Sequence, residues 1–265
     1  MKNLEKKVAI VTGAAMGMGK LFSEMLLEEG CKVALIDINE EVLQTTINEI
    51  SSKYDKVNFK AYTCDITNRI RVKEVFASVR QDLGPIQLLI NNAGIVEAGD
   101  VLNISGESIL RQIEVNLISQ FWTIKAVLED MIATKEGHIV NISSLAGYYA
   151  TPSLSAYSAS KFGVLALSDA LRQELKDFNI GVTVVCPTFV ATGMFEGIKQ
   201  PMIKPLSVVR PTIKAIKKNK AVISIPRGMK QLIRIGEVFL GKRGLDFVFC
   251  RIIGREFMKD WKGRN

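Results

Sequence analysis

The 265-residue chain has a single histidine, His138, so any chemistry that needs two imidazoles is excluded. Its four cysteines, Cys31, Cys64, Cys186 and Cys250, are widely spaced and form no C-x-x-C pair. That pattern excludes a disulfide frame and a cysteine zinc site, and it fits reduced thiols in a cytoplasmic protein. No apolar run approaches twenty residues, so no segment is long enough to span a bilayer. The start, MKNLEKKVAIVTG, has no apolar h-region and reads as neither a signal peptide nor a membrane span. Repeats and low-complexity linkers are also missing. With 48% hydrophobic and 23% charged residues, the composition is that of a globular chain and excludes disorder.

Negative charge is scarce at one end only. Residues 1–203 carry 19 Lys+Arg and 23 Asp+Glu, whereas residues 204–265 carry 16 and 4. The net charge of +8 is therefore a property of the last quarter. A basic pI usually prompts a nucleic-acid reading. Here the asymmetry assigns the charge to the tail, and no nucleic-acid partner is expected.

What is present is a regular alternation. Val8–Thr12, Lys32–Asp37, Asn58–Cys64, Gln87–Asn91, Gly137–Ser143, Gly181–Cys186 and Ala221–Ile225 read as strands rich in Val and Ile. Helix-length stretches lie between them, near 17–30, 39–52, 67–83, 105–134, 156–178 and 207–220. Near-continuous apolar strands require burial on both faces, and intervening helices make right-handed crossovers. The expected fold is α/β, a doubly wound three-layer sandwich on a seven-stranded parallel sheet. Residues 1–225 form the expected catalytic domain, and 226–265 a basic amphipathic appendage.

The first strand runs into TGAAMGMGK, with Gly13, Gly17 and Gly19 opening a helix. Glycines let the backbone turn tightly and approach a pyrophosphate, which a helix N-terminus attracts. Ala15, Met16 and Met18 lie in the same loop. The second strand ends in Asp37, whose carboxylate can accept both ribose hydroxyls and would repel a 2′-phosphate. Ile38 follows, and no Arg or Lys lies between Gly13 and Gly19, so NAD is expected over NADP. Asp37 could instead cap the next helix. Asp65, followed by Ile66, could accept from the adenine amino group or cap a helix. In NNAG, Asn91 and Asn92 would tie strand ends, and Ala93 and Gly94 would let the backbone approach the cofactor.

Downstream lies AYSASKF, with Tyr157 and Lys161 four positions apart. Of five tyrosines, only Tyr157 has a lysine at this distance. T-G-x-x-x-G-x-G, N-N-A-G, a serine and Y-x-x-x-K in this order resemble the short-chain dehydrogenase/reductase family over roughly residues 5–195. The resemblance implies a Rossmann-like sheet in the order 3-2-1-4-5-6-7. It implies Asn116, Ser144, Tyr157 and Lys161 as catalytic residues, and Pro187, Val190 and Thr192 beside the nicotinamide. Ser144 precedes the tyrosine by thirteen residues, which favours it over the adjacent Ser143. The family usually has Pro-Gly where this chain has Pro187-Thr188, a less permissive turn. FWTIKA, IDIN and CPTFVATGMF are similar to the hydroxysteroid and retinol dehydrogenase branch.

Tyrosine, with a pKa near 10, is a poor base at neutral pH. A lysine one turn along the helix, and a positive nicotinamide, would favour tyrosinate. Lys161 could also hold ribose hydroxyls, Ser144 the substrate oxygen, and Asn116 a water in line with Lys161. Each residue also has a plain reading: Tyr157 as core, Ser144 as a strand-end cap, Asn116 as a structural amide. His138 reads as structural. Leu145, Ala146, Val96, Phe189, Met194 and Phe195 form an apolar substrate surround, which suits a steroid, retinoid or lipid-like alcohol. A 3-oxoacyl-thioester reductase and a non-catalytic NAD-binding scaffold are the alternatives, and a homodimer or homotetramer is expected.

In the tail, Leu232, Ile235, Val238 and Phe239, and then Leu245, Val248, Phe249, Ile252 and Ile253, recur at helical spacing. Lys230, Arg234, Lys242, Arg243, Arg251 and Arg255 flank them. These stripes either pack on the domain or a partner subunit, or lie on an anionic membrane surface as a peripheral contact.

Overall fold

A computed structural model describes residues 1–195 and 201–253, the last four by their backbone alone. The side chains of Arg251, Ile252 and Ile253, and all of Arg255, lie outside the described residues.

The sheet strands are β1 (Val8–Thr12), β2 (Lys32–Asp37), β3 (Phe59–Thr63), β4 (Ile86–Asn91), β5 (Gly137–Ile142), β6 (Ile180–Pro187) and β7 (Val222–Ile225). They pair in parallel in the order β3-β2-β1-β4-β5-β6-β7, as expected. The helices are α1 (Gly17–Glu28), α2 (Glu40–Ser51), α3 (Arg69–Leu83), α4 (Gly106–Ile113), α5 (Ser119–Thr134), α6 (Ser155–Glu174), α7 (Leu206–Lys217) and α8 (Met229–Ile253).

Strand alternation divides two cores. Ala9, Val11, Val33, Leu35, Leu88 and Ile90 face α1, α2 and α7, which supply Phe22, Leu26, Leu43, Val209 and Ile213. Val8, Ile10, Ala34, Ile36, Leu89 and Ile139 face α3, α5 and α6 through Val75, Phe76, Val127, Met131 and Leu171. Both sets are apolar because both faces are covered, which is why the strands read as unbroken Val/Ile/Leu runs. Each such side chain stabilises the fold by about 1.5–3 kcal/mol on full burial.

The stretch 105–134 differs from the single helix expected. A π turn, Glu114–Ile118, separates α4 from α5. Three-residue 3₁₀ turns cover 56–58, 145–147 and 176–178.

α8 is bent rather than straight, since Gly241 has φ 62° and ψ 172° in mid-helix. A Cβ on Gly236 would come within 2.8 Å of Leu245 Cδ1, so the two halves close on each other across Gly241. No helix among the described residues is long and apolar enough to cross a membrane.

Parallel pairing brings every strand's C-terminal end to one edge. Strand order reverses between β1 and β4, and the crevice opens there.

Candidate active site

The glycine loop leaves β1 at Gly13 (φ +64°) and enters α1 at Gly17 (φ +57°), in a region that non-glycine residues rarely occupy. A Cβ on Gly19 would fall 1.9 Å from the Gly13 carbonyl oxygen, so the loop closes tightly on the helix start. No side chain caps α1, and its first-turn N–H groups face the crevice. Asp37 holds this loop, accepting from Ala15 N–H at 2.9 Å and from Asn39 N–H at 3.0 Å. The helix cap of α2 is Asn39, which accepts from Val42 N–H at 3.0 Å, so the capping alternative for Asp37 falls away. Asn68 likewise caps α3, while Asp65 accepts from the Thr67 N–H and hydroxyl in a tight turn.

A cleft of about 680 Å³ runs from this loop across the strand ends. Gly13, Met16, Gly17, Met18, Asp37, Ile38, Asp65, Ile66, Asn92, Ala93, Gly94 and Thr192 line it. Ala15 and Gly19, also expected at the cofactor, are buried in the loop and are not among these lining residues. Ala15 is buried with its N–H on Asp37, and its carbonyl accepts from Thr46 Oγ1 at 2.5 Å. Gly19 is packed beneath the loop. Val42, Thr67, Ile95 and Val115 also line the cleft without having been singled out. Val42 and Thr67 follow the two acids by five and two residues, and that offset was their only signal in the sequence.

The asparagines of NNAG tie strand ends together, as expected. Asn91 Nδ2 donates to Asn141 Oδ1 at 3.0 Å, and Asn92 Nδ2 donates to the carbonyls of Thr12 and Gly13 at 3.0 and 3.1 Å.

A smaller chamber of about 40 Å³ opens from the cleft, sharing Met18, Asn92, Gly94, Thr192 and Met194 with it. Ile142, Ser143, Ser144, Tyr157, Lys161, Pro187, Thr188, Val190 and Phe195 complete its walls. Tyr157 and Lys161 lie on α6, one turn apart, and both are buried. Lys161 Nζ sits 5.6 Å from the Tyr157 ring centre and donates to the Ile142 carbonyl at 3.0 Å.

Burial governs the acid–base character of this pair. It pushes the Tyr157 phenol up to about 12, against the opposing hydrogen bond from Ser144. It pulls Lys161 down to about 8, with a small upward effect from Cys186.

The two serines part company. Ser143 Oγ donates to the Lys161 carbonyl at 2.8 Å and is buried against α6. Ser144 accepts from Ala146 N–H at 3.1 Å, capping the 3₁₀ turn, and faces Tyr157 in the chamber.

Asn116 sits in the π turn and is fully buried. Its Oδ1 accepts from Ile95 N–H at 2.8 Å, and its Nδ2 donates to Ile95 O at 2.9 Å and to Ser160 Oγ at 3.1 Å. Both amide hydrogens are spent, which leaves one lone pair on Oδ1. A Cβ on Gly94 would stand 3.0 Å from Asn116 Oδ1 and 3.4 Å from Lys161 Nζ.

Tyr157 is wrapped by Val96, Leu154 and Phe195, with Ala146, Phe189 and Met194 packed on that cluster. Phe189 and Phe195 meet edge to face at 5.1 Å. Leu145, also expected at the substrate, is not among them. It packs against Val164, Val184 and Cys186, because the 3₁₀ turn directs it back toward the sheet. Pro187 ends β6, and Thr188 N–H donates to Ile225 O at 2.9 Å, with no positive φ at Thr188. The threonine in place of glycine is thus accommodated without strain. Val190 bridges to Ile203, and Thr192 packs over Gly17.

His138 is structural, in mid-sheet between Leu88 and Gly181. Its Nε2 lies 2.8 Å from Thr183 Oγ1, which itself donates to the Lys220 carbonyl at 2.7 Å. Nε2 therefore carries the hydrogen, and Nδ1 is left without a partner. Burial pulls the imidazole down to about 3.

The short chain dehydrogenase family model matches residues 7–202. Short-chain dehydrogenase/reductase family 16C member 6 from Bos taurus is 37% identical, over 96% of this chain and 86% of that protein. Epidermal retinol dehydrogenase 2 from Mus musculus is 32% identical, over 92% and 82%. A short chain dehydrogenase/reductase from Burkholderia phymatum, solved in complex with NAD, superposes with a TM-score of 0.83 at 24% identity, over 92% of this chain and 98% of that one.

Proposed function

Because the chain belongs to the short-chain dehydrogenase family, we propose that it is an NAD-dependent oxidoreductase interconverting a hydrophobic secondary alcohol and its ketone, with Tyr157 as acid–base. The supporting observation is the chamber that holds Ser144, Tyr157 and Lys161 inside an apolar wrap and opens directly onto the long cleft. The names of the retinol dehydrogenases among its relatives agree with an apolar alcohol, and the chamber offers no carboxylate or phosphate clamp among its described walls.

The cleft fits a dinucleotide. Its glycines leave no side chain where a pyrophosphate would approach α1, and Asp37 stands where an adenosine ribose would end. NAD, when bound, would supply the hydride acceptor and a positively charged ring.

The protein's own groups handle the proton. Tyr157 takes the hydroxyl proton in oxidation and returns it in reduction. Burial keeps its phenol protonated at neutral pH, so the resting site is set up as an acid. Ser144 shares its hydroxyl with the substrate oxygen and with Tyr157. Lys161, held at 3.0 Å on Ile142 O, keeps its charge beside the phenol and reaches toward the ribose hydroxyls. Asn116 Oδ1 and Lys161 Nζ both flank Gly94, and a water bridging the two groups would carry the proton outward.

The thioester-reductase reading implies NADPH, and Asp37 opposes it. A scaffold role would not require this chamber. Ile118, Phe121 and Phe162 leave an apolar face on α5, α6 and the turn between α4 and α5, which suits pairing of two copies.

A panel of steroids, retinoids and alkanols with NAD⁺, followed by NADH absorbance, tests the proposal. Turnover of an apolar secondary alcohol is expected. Tight NADH binding with no turnover of any alcohol or carbonyl would return the scaffold reading.

A further inference from the structure

We propose that bent α8 is an interfacial membrane anchor for an anionic lipid surface. This goes beyond the active-site reading and does not depend on it.

One side of α8 is used inward: Ile233 and Leu245 are buried, and the bend brings Leu245 against Gly236. The other side carries large apolar groups into solvent. Val238 and Phe239 are 80% and 82% exposed, and Leu240 and Leu232 are exposed as well. Three of these, Val238–Leu240, fall together immediately before the bend at Gly241, so the apex is apolar. A helix leaving its apolar stripe unpaired needs a partner.

Charge selects that partner. Arg234, Lys242 and Arg243 are exposed beside the apex and pair with no acid among the described residues. An apolar apex collared by cations matches the boundary of an anionic bilayer, with the apex entering the acyl edge and the cations meeting headgroups. A second copy fits less well, since an isologous contact would bring two sets of these cations to one interface.

The anchor is tied to the active-site lip. Lys230 lies over the Tyr148 ring at 5.4 Å, Tyr149 stacks on Phe249 at 4.1 Å, and the Tyr149 hydroxyl donates to Asp246. Both tyrosines directly follow the turn that Ser144 caps.

The test is co-sedimentation of the full chain with vesicles of phosphatidylcholine alone, or of phosphatidylcholine with phosphatidylglycerol. The parent should pellet with the anionic vesicles and lose binding in high salt. V238D/F239D, at fully solvated positions with the rest of the tail intact, should bind at least about tenfold more weakly. K242E/R243E should lose its preference for anionic lipid. Equal binding by parent and V238D/F239D would overturn the proposal. So would a V238D/F239D change in sedimentation velocity from dimer to monomer, which would make the apex a subunit contact.

Discussion

The ammonium of Lys161 lies 5.6 Å from the centre of the Tyr157 ring, one turn further along α6. Neither group is at its ordinary acidity, because burial moves the phenol up to about 12 and the amine down to about 8. Burial thus drives the two groups apart in proton affinity, the amine toward neutral pH and the phenol away from it. A cation brought against the phenol is what would ready it as a base.

Tyr157→Phe keeps the ring within its apolar wrap and removes the proton carrier. Turnover should fall by about 10²–10⁴-fold. NADH affinity, read by fluorescence titration, should stay within about twofold. Retained turnover would remove Tyr157 from proton transfer.

Lys161→Met should exchange activity for stability. The folded value, about 8, lies below the ordinary 10.5 of an exposed lysine amine. The unfolded chain thus binds more protons between these values, and wild-type stability rises with pH across that window. Below about pH 8 the full cost of the buried charge remains, about 3 kcal/mol. Losing the bond to Ile142 O returns about 1 kcal/mol of that. Thermal melts without cofactor should show the variant several degrees more stable at pH 7, with the difference shrinking toward pH 10. A variant less stable at pH 7 would contradict the burial cost.

Asp37 should make the enzyme prefer NAD. The ratio of kcat/KM for NAD⁺ over NADP⁺ should be about tenfold or more, because a 2′-phosphate would meet a carboxylate. Asp37→Ser should narrow the ratio and loosen the glycine loop, since the Ala15 N–H loses its acceptor. A wild-type preference for NADP⁺ would sink the assignment.

His138 should steepen acid unfolding. Its folded value is about 3 against an ordinary 6.5, so the unfolded chain takes up a proton first as pH falls. Stability is lost from about pH 6.5 downward, by about 5 kcal/mol at most. His138→Gln can still donate to Thr183 and has no such titration. Its urea midpoint should fall less between pH 7 and pH 4 than that of the wild type.

The legible parts of the fold were those set by local pattern. Strand ends fall within a residue or two of the Val/Ile runs, because burial on both faces favours apolar residues along most strands. Gly13, Gly17 and Asp37 were legible because glycine and acid at those offsets serve few purposes. The π turn at Asn116 was not, since its residues keep helical periodicity and only the pairing to Ile95 and Ser160 imposes the extra residue. The packing of Leu145 was not legible for a similar reason: adjacency to Ser144 does not tell which way a 3₁₀ turn throws its first side chain. The closure of α8 upon itself depends on a single backbone angle at Gly241, and the apolar stripes on either side each keep helical spacing, which hides the bend.

The stacking of Tyr149 on Phe249 has a practical side. A chain shortened after Ile225 would strip Asp246 and Phe249 from the loop next to Ser144. Such a truncation would then slow catalysis even where no lipid is present. Deletion and lipid dependence would look alike in an assay, and only point changes at the apex keep them separate.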